Sequence, residues 1–379
     1  VKNRTIGILG ASGQVGRGAV ETMLGSAEFP IVLGGRNPEK LREQYRRAEP
    51  RAVFMHVDVY DSESLRRFTG SCDVVINCAG PSKQVLDRVA SACLEHGVHY
   101  VDVSGDEHLY KRLRSANREI EEKRLTFLVS AGVYPGLSEM FPAYVAETGL
   151  DEVELLELFF AGNGGFSLNA AYDIVCSIQE DTGRGMMYGK NGEASKMDRP
   201  FPRSYPLPPP AGERNVYPVL HDEFLSIARS RRFREAMFYN TYPDNAILNK
   251  FMTIKALELY KTEEQKLASA RMLVEQFGAY KQPAQAYSMF HLLAEGRKDG
   301  KPLRLGATLL YNNDWNTLSG MVAANAARLV LEDGGRAPGC KYAAEGVSPV
   351  NMMNVLGEQD VHLAHSVMEA RAGVNHERT

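Results

Sequence analysis

The segment Gly10-Ala11-Ser12-Gly13-Gln14-Val15-Gly16 has the residue types and spacing to cradle a diphosphate. It follows the apolar run Thr5–Leu9 and opens a helical stretch. Gly10 permits a tight turn, Gly13 lets backbone approach the phosphates, and Gly16 lets helix and strand pack closely. A helix starting near Gln14 turns unpaired N–H groups and a positive dipole end toward an anion, with Ser12, Gln14 and Val15 lining the turn. Glycine triplets are common in turns; the weight here comes from their place between a first strand and a first helix. The second strand ends in Leu33-Gly34-Gly35-Arg36-Asn37-Pro38-Glu39-Lys40. No carboxylate stands at that tip to hold ribose hydroxyls, whereas Arg36 offers its planar fork of donors to a 2′-phosphate. Lys40 adds a second positive charge. The expected cofactor is therefore NADP(H). Asp58, after the third strand, is placed for the adenine amine. Cys78, Ala79, Gly80 and Pro81 after the fourth are small enough for the nicotinamide side to approach, and Ser104 after the fifth completes the set.

Ligands in open α/β sheets bind beyond the carboxyl ends of the strands, so the elements must deliver these residues to one edge. Alternating apolar runs and helical stretches predict strands at Thr5–Leu9, Ile31–Leu33, Val53–Val57, Val74–Asn77, Tyr100–Val103 and Thr126–Val129. Helices are expected to begin near Gln14, Pro38, Ser62, Ser82 and Glu107, with Asp61 as an N-cap. After Tyr134-Pro135-Gly136 the pattern becomes mixed, with strands expected at Glu152–Phe160 and Leu303–Tyr311. The Pro-rich stretch Arg199–Pro210 suits a surface loop or arm and cannot be a central strand. Asn316–Glu332 reads as a long helix ended by Gly334-Gly335. The expected fold is α/β: a Rossmann doubly wound parallel sheet plus a second mixed α/β domain. Residues 1–135 and 316–379 form the nucleotide domain with a C-terminal return helix, and 136–315 the substrate and dimerisation domain.

A length of 379 residues accommodates two such domains. A net charge of −3 gives no electrostatic footprint for nucleic acid or anionic membrane. No apolar run approaches the roughly 18 residues that cross a bilayer, and the first residues lack a secretory cleavage site. Five scattered cysteines form no CxxC pair, which speaks for free thiols in a reducing cytoplasm and against a metal site.

The ordered motifs GASGQVG, GGRNPEKL, VDVYDSESL, DVVINCAGP, GVHYVDVSGD and SAGVYPGLSE resemble those of the saccharopine dehydrogenase-like oxidoreductases over the first 140 residues. LSGMVAANAARLVLE is similar to that family's C-terminal helix. The resemblance implies a Rossmann domain, a mixed α/β second domain, a homodimer, and hydride transfer at a carbon–nitrogen double bond. Fungal saccharopine reductases of this family carry an acidic residue before the Pro-Gly of the last motif, where this chain has Tyr134. That departure speaks against the amino-acid-condensing activity. The branch resembles stand-alone thiazolinyl imine reductases of siderophore assembly lines, which implies a small-molecule substrate, free or on a carrier protein.

Reducing C=N requires a proton donor within reach of the nitrogen. Asp106, Glu107 and His108 follow the fifth strand and Tyr134 the sixth. Tyr134, a neutral donor at pH 7, is the first candidate; His108 titrates near neutrality and is the second, as donor or relay, with Asp106 beside it. Each also has an ordinary structural role, the Tyr as a packed hinge and the His as a solvated first-turn residue. His99 and Tyr100 begin a strand and are expected to be structural. Phe159–Phe166, a glycine-rich turn flanked by aromatic residues, suits a flat substrate or a plain hairpin. Arg184, Arg199 and Arg203 are candidates for a carboxylate, with solvation the stronger expectation. None of the 17 tyrosines has Lys four residues later, so the short-chain dehydrogenase pair is absent. Rival readings are a saccharopine-type dehydrogenase, an enoyl reductase and a non-enzymatic NADP sensor.

Overall fold

The computed structural model describes residues 4–26, 29–104, 107–180, 182–280, 285–333 and 338–368. β1 (Ile6–Leu9) leads to α1 (Gln14–Gly25), β2 (Ile31–Gly35) to α2 (Pro38–Gln44), β3 (Ala52–His56) to α3 (Ser62–Thr69), and β4 (Val74–Asn77) to α4 (Ser82–Val85) and α5 (Arg88–His96). β5 (His99–Asp102), α6 (Glu107–Ser115), α7 (Asn117–Glu122) and β6 (Thr126–Val129) complete the alternation. β1, β4 and β6 are buried along their whole length, as parallel strands covered on both faces must be. The short helices carry their own start signals. Asn37 accepts from the Lys40 amide at 2.9 Å, and Asp61 from the Glu63 and Ser64 amides at 3.1 and 3.3 Å.

The chain then runs through α8 (Leu137–Gly149), β7 (Glu152–Asn163), α9 (Leu168–Glu180), β8 (Arg184–Gly185), β9 (Met187–Lys190), β10 (Glu193–Lys196), β11 (Ser204–Leu207) and β12 (Gly212–Leu220). α10 (Asp222–Ser230), β13 (Glu235–Tyr242), α11 (Ala246–Ala256), α12 (Glu263–Tyr280), β14 (Tyr287–Lys298) and β15 (Lys301–Tyr311) follow. The last elements are α13 (Trp315–Glu332), β16 (Gly339–Tyr342), α14 (Ala343–Gly346), α15 (Pro349–Gly357) and β17 (Val361–Met368).

The expected α/β architecture is present: a parallel sheet in the order β16-β6-β5-β4-β1-β2-β3 and a larger mixed sheet whose path runs β10-β9-β13-β7-β14-β15-β17. All six strands expected in the first third form. β16, unforeseen in the sequence, adds beside β6 in parallel. A correction concerns the tail: residues after 316 do not all return to the nucleotide domain. β17 pairs antiparallel with β15 from Val361 opposite Tyr311 to Met368 opposite Arg304, so it lies in the second sheet. Its short sequence, five apolar residues in eight, gave no sign of which sheet edge it would close. The Pro-rich stretch contains β11, which pairs with β12 alone and so keeps its prolines off a central position. Gly334 and Gly335, expected to end α13, lie outside the described residues. Among the described residues no helix is long and apolar enough to cross a membrane.

α13 is the element on which both domains close. Its N-cap Asp314 accepts from the Asn316 amide at 2.7 Å and from the Gly165 amide, after β7, at 2.6 Å. Further along, Ser319 Oγ accepts from the Val133 amide at 3.2 Å, at the loop after β6. α13 then crosses α1 with no side chain between the backbones: a Cβ on Gly320 would overlap the Val15 carbonyl, and one on Gly18 the Thr317 carbonyl. Gly320→Ala should therefore push the helices apart, at a cost of about 1–3 kcal/mol. Denaturant unfolding checks this, and an unchanged midpoint would show that the crossing relaxes freely.

Candidate functional site

Parallel register sets the first wall of the site. Leu9 lies opposite Gly34 on one side and Asn77 on the other. The Gly10 amide donates to Gly34 O (3.1 Å), Val57 N to Gly35 O (3.0 Å) and Cys78 N to Leu9 O (2.9 Å). Asp58, Arg36, Gly10 and Cys78 thus leave four adjacent strands side by side. The row continues through Val103 N to Asn77 O (3.3 Å) and Ala131 N to Asp102 O (2.8 Å). Gly10, Arg36, Asp58, Cys78 and Ser104, all just past strand ends, therefore leave the sheet at the same edge.

The mouth fits a dinucleotide. Gly10 has φ +78°, and a Cβ there would stand 2.8 Å from the Cys78 carbonyl carbon and the Ala79 amide. α1 begins at Gln14 with no side-chain cap on its N-cap Gly13 and no acidic residue in its first turn, so its amides face outward toward an anion. Ser12, Gly13 and Gln14 are exposed and Val15 half-buried. Tyr45, buried behind the turn, donates its hydroxyl to Ala11 O at 2.7 Å and fixes the loop from the protein side. Arg36 and Lys40 are exposed, and Arg36 has no ion pair among the described residues, as suits a cation reserved for a phosphate. Asp58 accepts from the Tyr60 amide at 2.9 Å through one carboxylate oxygen, leaving the other for the adenine side.

Cys78 is half-buried, and burial pushes its thiol above the ordinary range, Asp102 adding to the effect. Below Cys78–Pro81 lies a network the sequence did not reveal. Asn77 Nδ2 donates to Asp102 (2.8 Å) and Tyr100 (3.1 Å), Tyr100 donates to Asp102, and Asp102 accepts from the Ser104 amide at 3.0 Å. Asn77 Oδ1 accepts from the Ala79 amide at 3.1 Å. Tyr100 is structural, as expected, yet its phenol reaches the carboxyl end of the sheet and orders both loops there. His99 is a backbone cap, accepting from Thr126 N at 3.0 Å.

The donor candidates separate. Asp106 lies outside the described residues. His108 turns to Glu180 of α9 (2.9 Å), which also binds Lys83 (2.6 Å), in a cavity of about 320 Å³ shared with Tyr172 and Lys266. α6 thus directs the His108 side chain to α9. Glu107 pairs with Lys111 and hydrogen-bonds Asp222. Tyr134, half-buried, enters the inner face of the second sheet, its ring 4.7 Å from Phe238, 4.9 Å from His221 and 5.8 Å from Phe160. Burial, then neighbouring Tyr242, raise its pKa above the usual phenol value, against a hydrogen bond with Asn240.

Around Tyr134 stands a buried polar cluster that no local motif announced. His221 Nε2 lies 2.7 Å from Glu139 Oε1, and Glu139 also accepts from Gly136 N (2.5 Å) and Ser138 Oγ (2.8 Å). Glu223 accepts from Ser130 Oγ at 3.0 Å, and burial lifts its pKa to about 7 against the opposing pull of His221. The glycine turn after β7 packs on Trp315: a Cβ on Gly162 would come within 2.7 Å of that ring, whose Nε1 donates to Gly165 O at 2.9 Å. Arg184 and Arg199 are engaged by Asp222 and Glu235, and Arg203 lies over the Phe201 ring. The unforeseen cation is Arg214, donating to Tyr287 at 3.1 Å beside a cavity of about 410 Å³ lined by Gly162, Asn163, Tyr280 and Pro210. Among the described residues no cluster could hold a metal ion.

Comparison with known proteins follows the same division. Residues 6–128 match the saccharopine dehydrogenase NADP binding domain. The chain is 32% identical over 137 residues to a probable mitochondrial saccharopine dehydrogenase-like oxidoreductase of Arabidopsis thaliana, covering 33% of this chain and 30% of that one. It is 25% identical over 214 residues to a carboxyaminopropylagmatine dehydrogenase of Synechocystis, covering 54% and 53%. The chain thus spans less than two thirds of either relative. The structure of saccharopine dehydrogenase (L-Glu forming) from Saccharomyces cerevisiae shares the fold, with a TM-score of 0.67 at 13% identity, over 97% of this chain and 100% of that one. The first domain is an NADP-binding domain.

Two outcomes test this geometry. Arg36→Ala should weaken NADPH binding about 10-fold or more, as loss of a charge-assisted phosphate contact does, and leave NADH binding unchanged; equal losses for both cofactors in a titration would remove Arg36 from the phosphate site. Glu223 holds its proton longer in the folded chain than its ordinary 4.5, so its contribution to stability is complete below about 4.5 and is lost as pH rises through about 7. Glu223→Gln should abolish that part of the slope in unfolding midpoints measured across this window, and parallel profiles would contradict it.

Proposed function

We propose that the chain is an NADPH-dependent reductase that places hydride on the carbon of a C=N bond in a small molecule while Tyr134 protonates the nitrogen. The observation that carries this reading is the position of Tyr134. It follows β6 at the carboxyl edge that holds the cofactor residues, and its ring lies on the second domain's inner aromatic face. Bound NADPH supplies the hydride. Gly10, Gly13 and the α1 amides hold the diphosphate, Arg36 and Lys40 the 2′-phosphate, and Cys78–Pro81 the nicotinamide side.

Tyr134 is a neutral phenol at physiological pH, with its hydroxyl oriented by Asn240. The nitrogen that receives the C=N electron pair is a far stronger base than a phenolate, so proton transfer is downhill once hydride arrives. Phe160 and Phe238 exclude water from the ring that makes this transfer. The carboxyl-bearing amine in the name of the Synechocystis relative accords with a C=N substrate that carries a carboxylate. Tyr134, standing where fungal saccharopine reductases carry an acidic residue, favours a different C=N substrate, with thiazoline rings, free or carrier-bound, as the narrower class.

NADPH consumption with pyrroline carboxylate, methylthiazoline carboxylate and cyclohexenone tests the proposal. Turnover of the C=N compounds alone is expected. Reaction with cyclohexenone alone would make the chain an enoyl reductase, and cofactor binding without turnover a sensor. Tyr134→Phe should lower kcat about 10²–10⁴-fold with unchanged NADPH affinity; a wild-type rate would relieve Tyr134 of the donor role.

A further inference from the structure

We infer that His221 is a positioning residue for the proton donor: clamped by Glu139, its imidazolium stands against the Tyr134 ring and offsets the negative charge Tyr134 acquires on giving up its proton. The inference rests on the reading of Tyr134 as donor.

His221 is the residue before α10 and is 9% exposed; Glu139, in the first turn of α8, is 2% exposed. A carboxylate this deeply buried requires a cation or several donors. Glu139 has both: the Gly136 amide and Ser138 hydroxyl on its own turn, and His221 Nε2 at 2.7 Å across the domain seam. The same loop, residues 130–136, carries Tyr134, so the carboxylate that orients His221 also holds the backbone turn behind the donor. The rings of His221 and Tyr134 meet at 64° with centroids 4.9 Å apart. Phe238 packs edge-on against His221 at 5.1 Å and Phe224 lies at 5.8 Å, so the imidazole cannot swing out.

The charges facing His221 are Glu139 from α8 and Asp222 and Glu223 from its own helix. Behind them Asp222 meets Arg184 and Glu107, Glu107 meets Lys111, and Tyr342 of β16 senses Glu223. Burial opposes a charged imidazole here, but the Glu139 hydrogen bond and the surrounding carboxylates raise its pKa above the ordinary 6.5. The second ring nitrogen, Nδ1, is buried and has no hydrogen-bond partner among the described residues. In the imidazolium it is an N–H available to a water or a substrate oxygen.

The role follows from the charge balance of the step. As hydride reaches the carbon, the C=N π pair moves onto nitrogen, the Tyr134 O–H bond breaks, and an N–H bond forms. A phenolate is left in a pocket where Glu139 and Glu223 both oppose it. His221 is the cation close enough to the ring to lower that cost; the phenolate then regains a proton from water. Neither His221 nor Glu139 needs to touch the substrate for this.

A nitrogen NMR titration of the histidine-labelled chain should show His221 keeping both ring protons to a higher pH than the ordinary 6.5, and Glu139→Gln should lose that upward shift. With pyrroline carboxylate and NADPH, His221→Gln should lower kcat about 10²-fold, with KM and NADPH affinity little changed. The wild-type rate should fall at alkaline pH as His221 deprotonates, and His221→Gln should lose that limb. Added to Tyr134→Phe, the substitution should cost nothing further, because both act on one proton transfer. A neutral His221 in an active enzyme, or losses that multiply in the double variant, would overturn the inference while leaving the reductase reading intact. Failure of the wild type to reduce any C=N probe would remove that reading and the inference with it.

Discussion

The close crossing of α1 and α13 is the contact through which the two domains share one geometry. With glycine on both sides, at Gly18 and Gly320, the backbones approach until carbonyl oxygens occupy the space of a side chain. α1 presents its free amides to the cofactor mouth at one end. α13 at its own N-terminus holds the Gly165 turn of the second sheet, and in its first turns the Val133 amide beside Tyr134. A shift of α13 would therefore move the diphosphate cradle, the donor loop and the second sheet together. Rigid packing of this kind transmits displacement because protein interiors have few voids to absorb it.

Charge is arranged differently on the two sides of the site. The mouth keeps its donors open: α1 has no acidic first-turn residue, and Arg36 is exposed. The other side is tied inward, with Glu139 accepting from three groups and Glu223 bonded to Ser130, its pKa lifted by burial to about 7. Such a polar cluster is stiff, since these members lose a partner if they move.

The loop ends show how tertiary contacts select among candidates of the same residue type. Tyr134 and Tyr100 both lie near strand ends, but Tyr100 is tied to Asn77 and Asp102 beneath the cofactor loops, while Tyr134 turns to the aromatic face of the second sheet. His108 and His221 diverge likewise. His108, on an exposed helix turn, meets Glu180 at the outer seam, and His221 is enclosed with Glu139. The difference lies in which helix each faces after the domains have packed.

What the sequence determined by itself is the nucleotide domain. Its strands, helix starts, Asp61 cap and glycine turn were legible because each depends on residues a few positions apart: an apolar run, a capping side chain, a glycine at positive φ. The NADP cofactor was legible for the same reason. Only tertiary structure decided the donor side, because its members come from Tyr134, Glu139, His221 and Glu223, brought together across more than eighty residues by two helix starts meeting at the domain seam. It also decided that β17 closes the second sheet and that β16 extends the first, choices made by which unpaired edge lay within reach. Local chemistry writes turns and caps into neighbouring residues; a buried ion pair between distant helices leaves no such spacing to read.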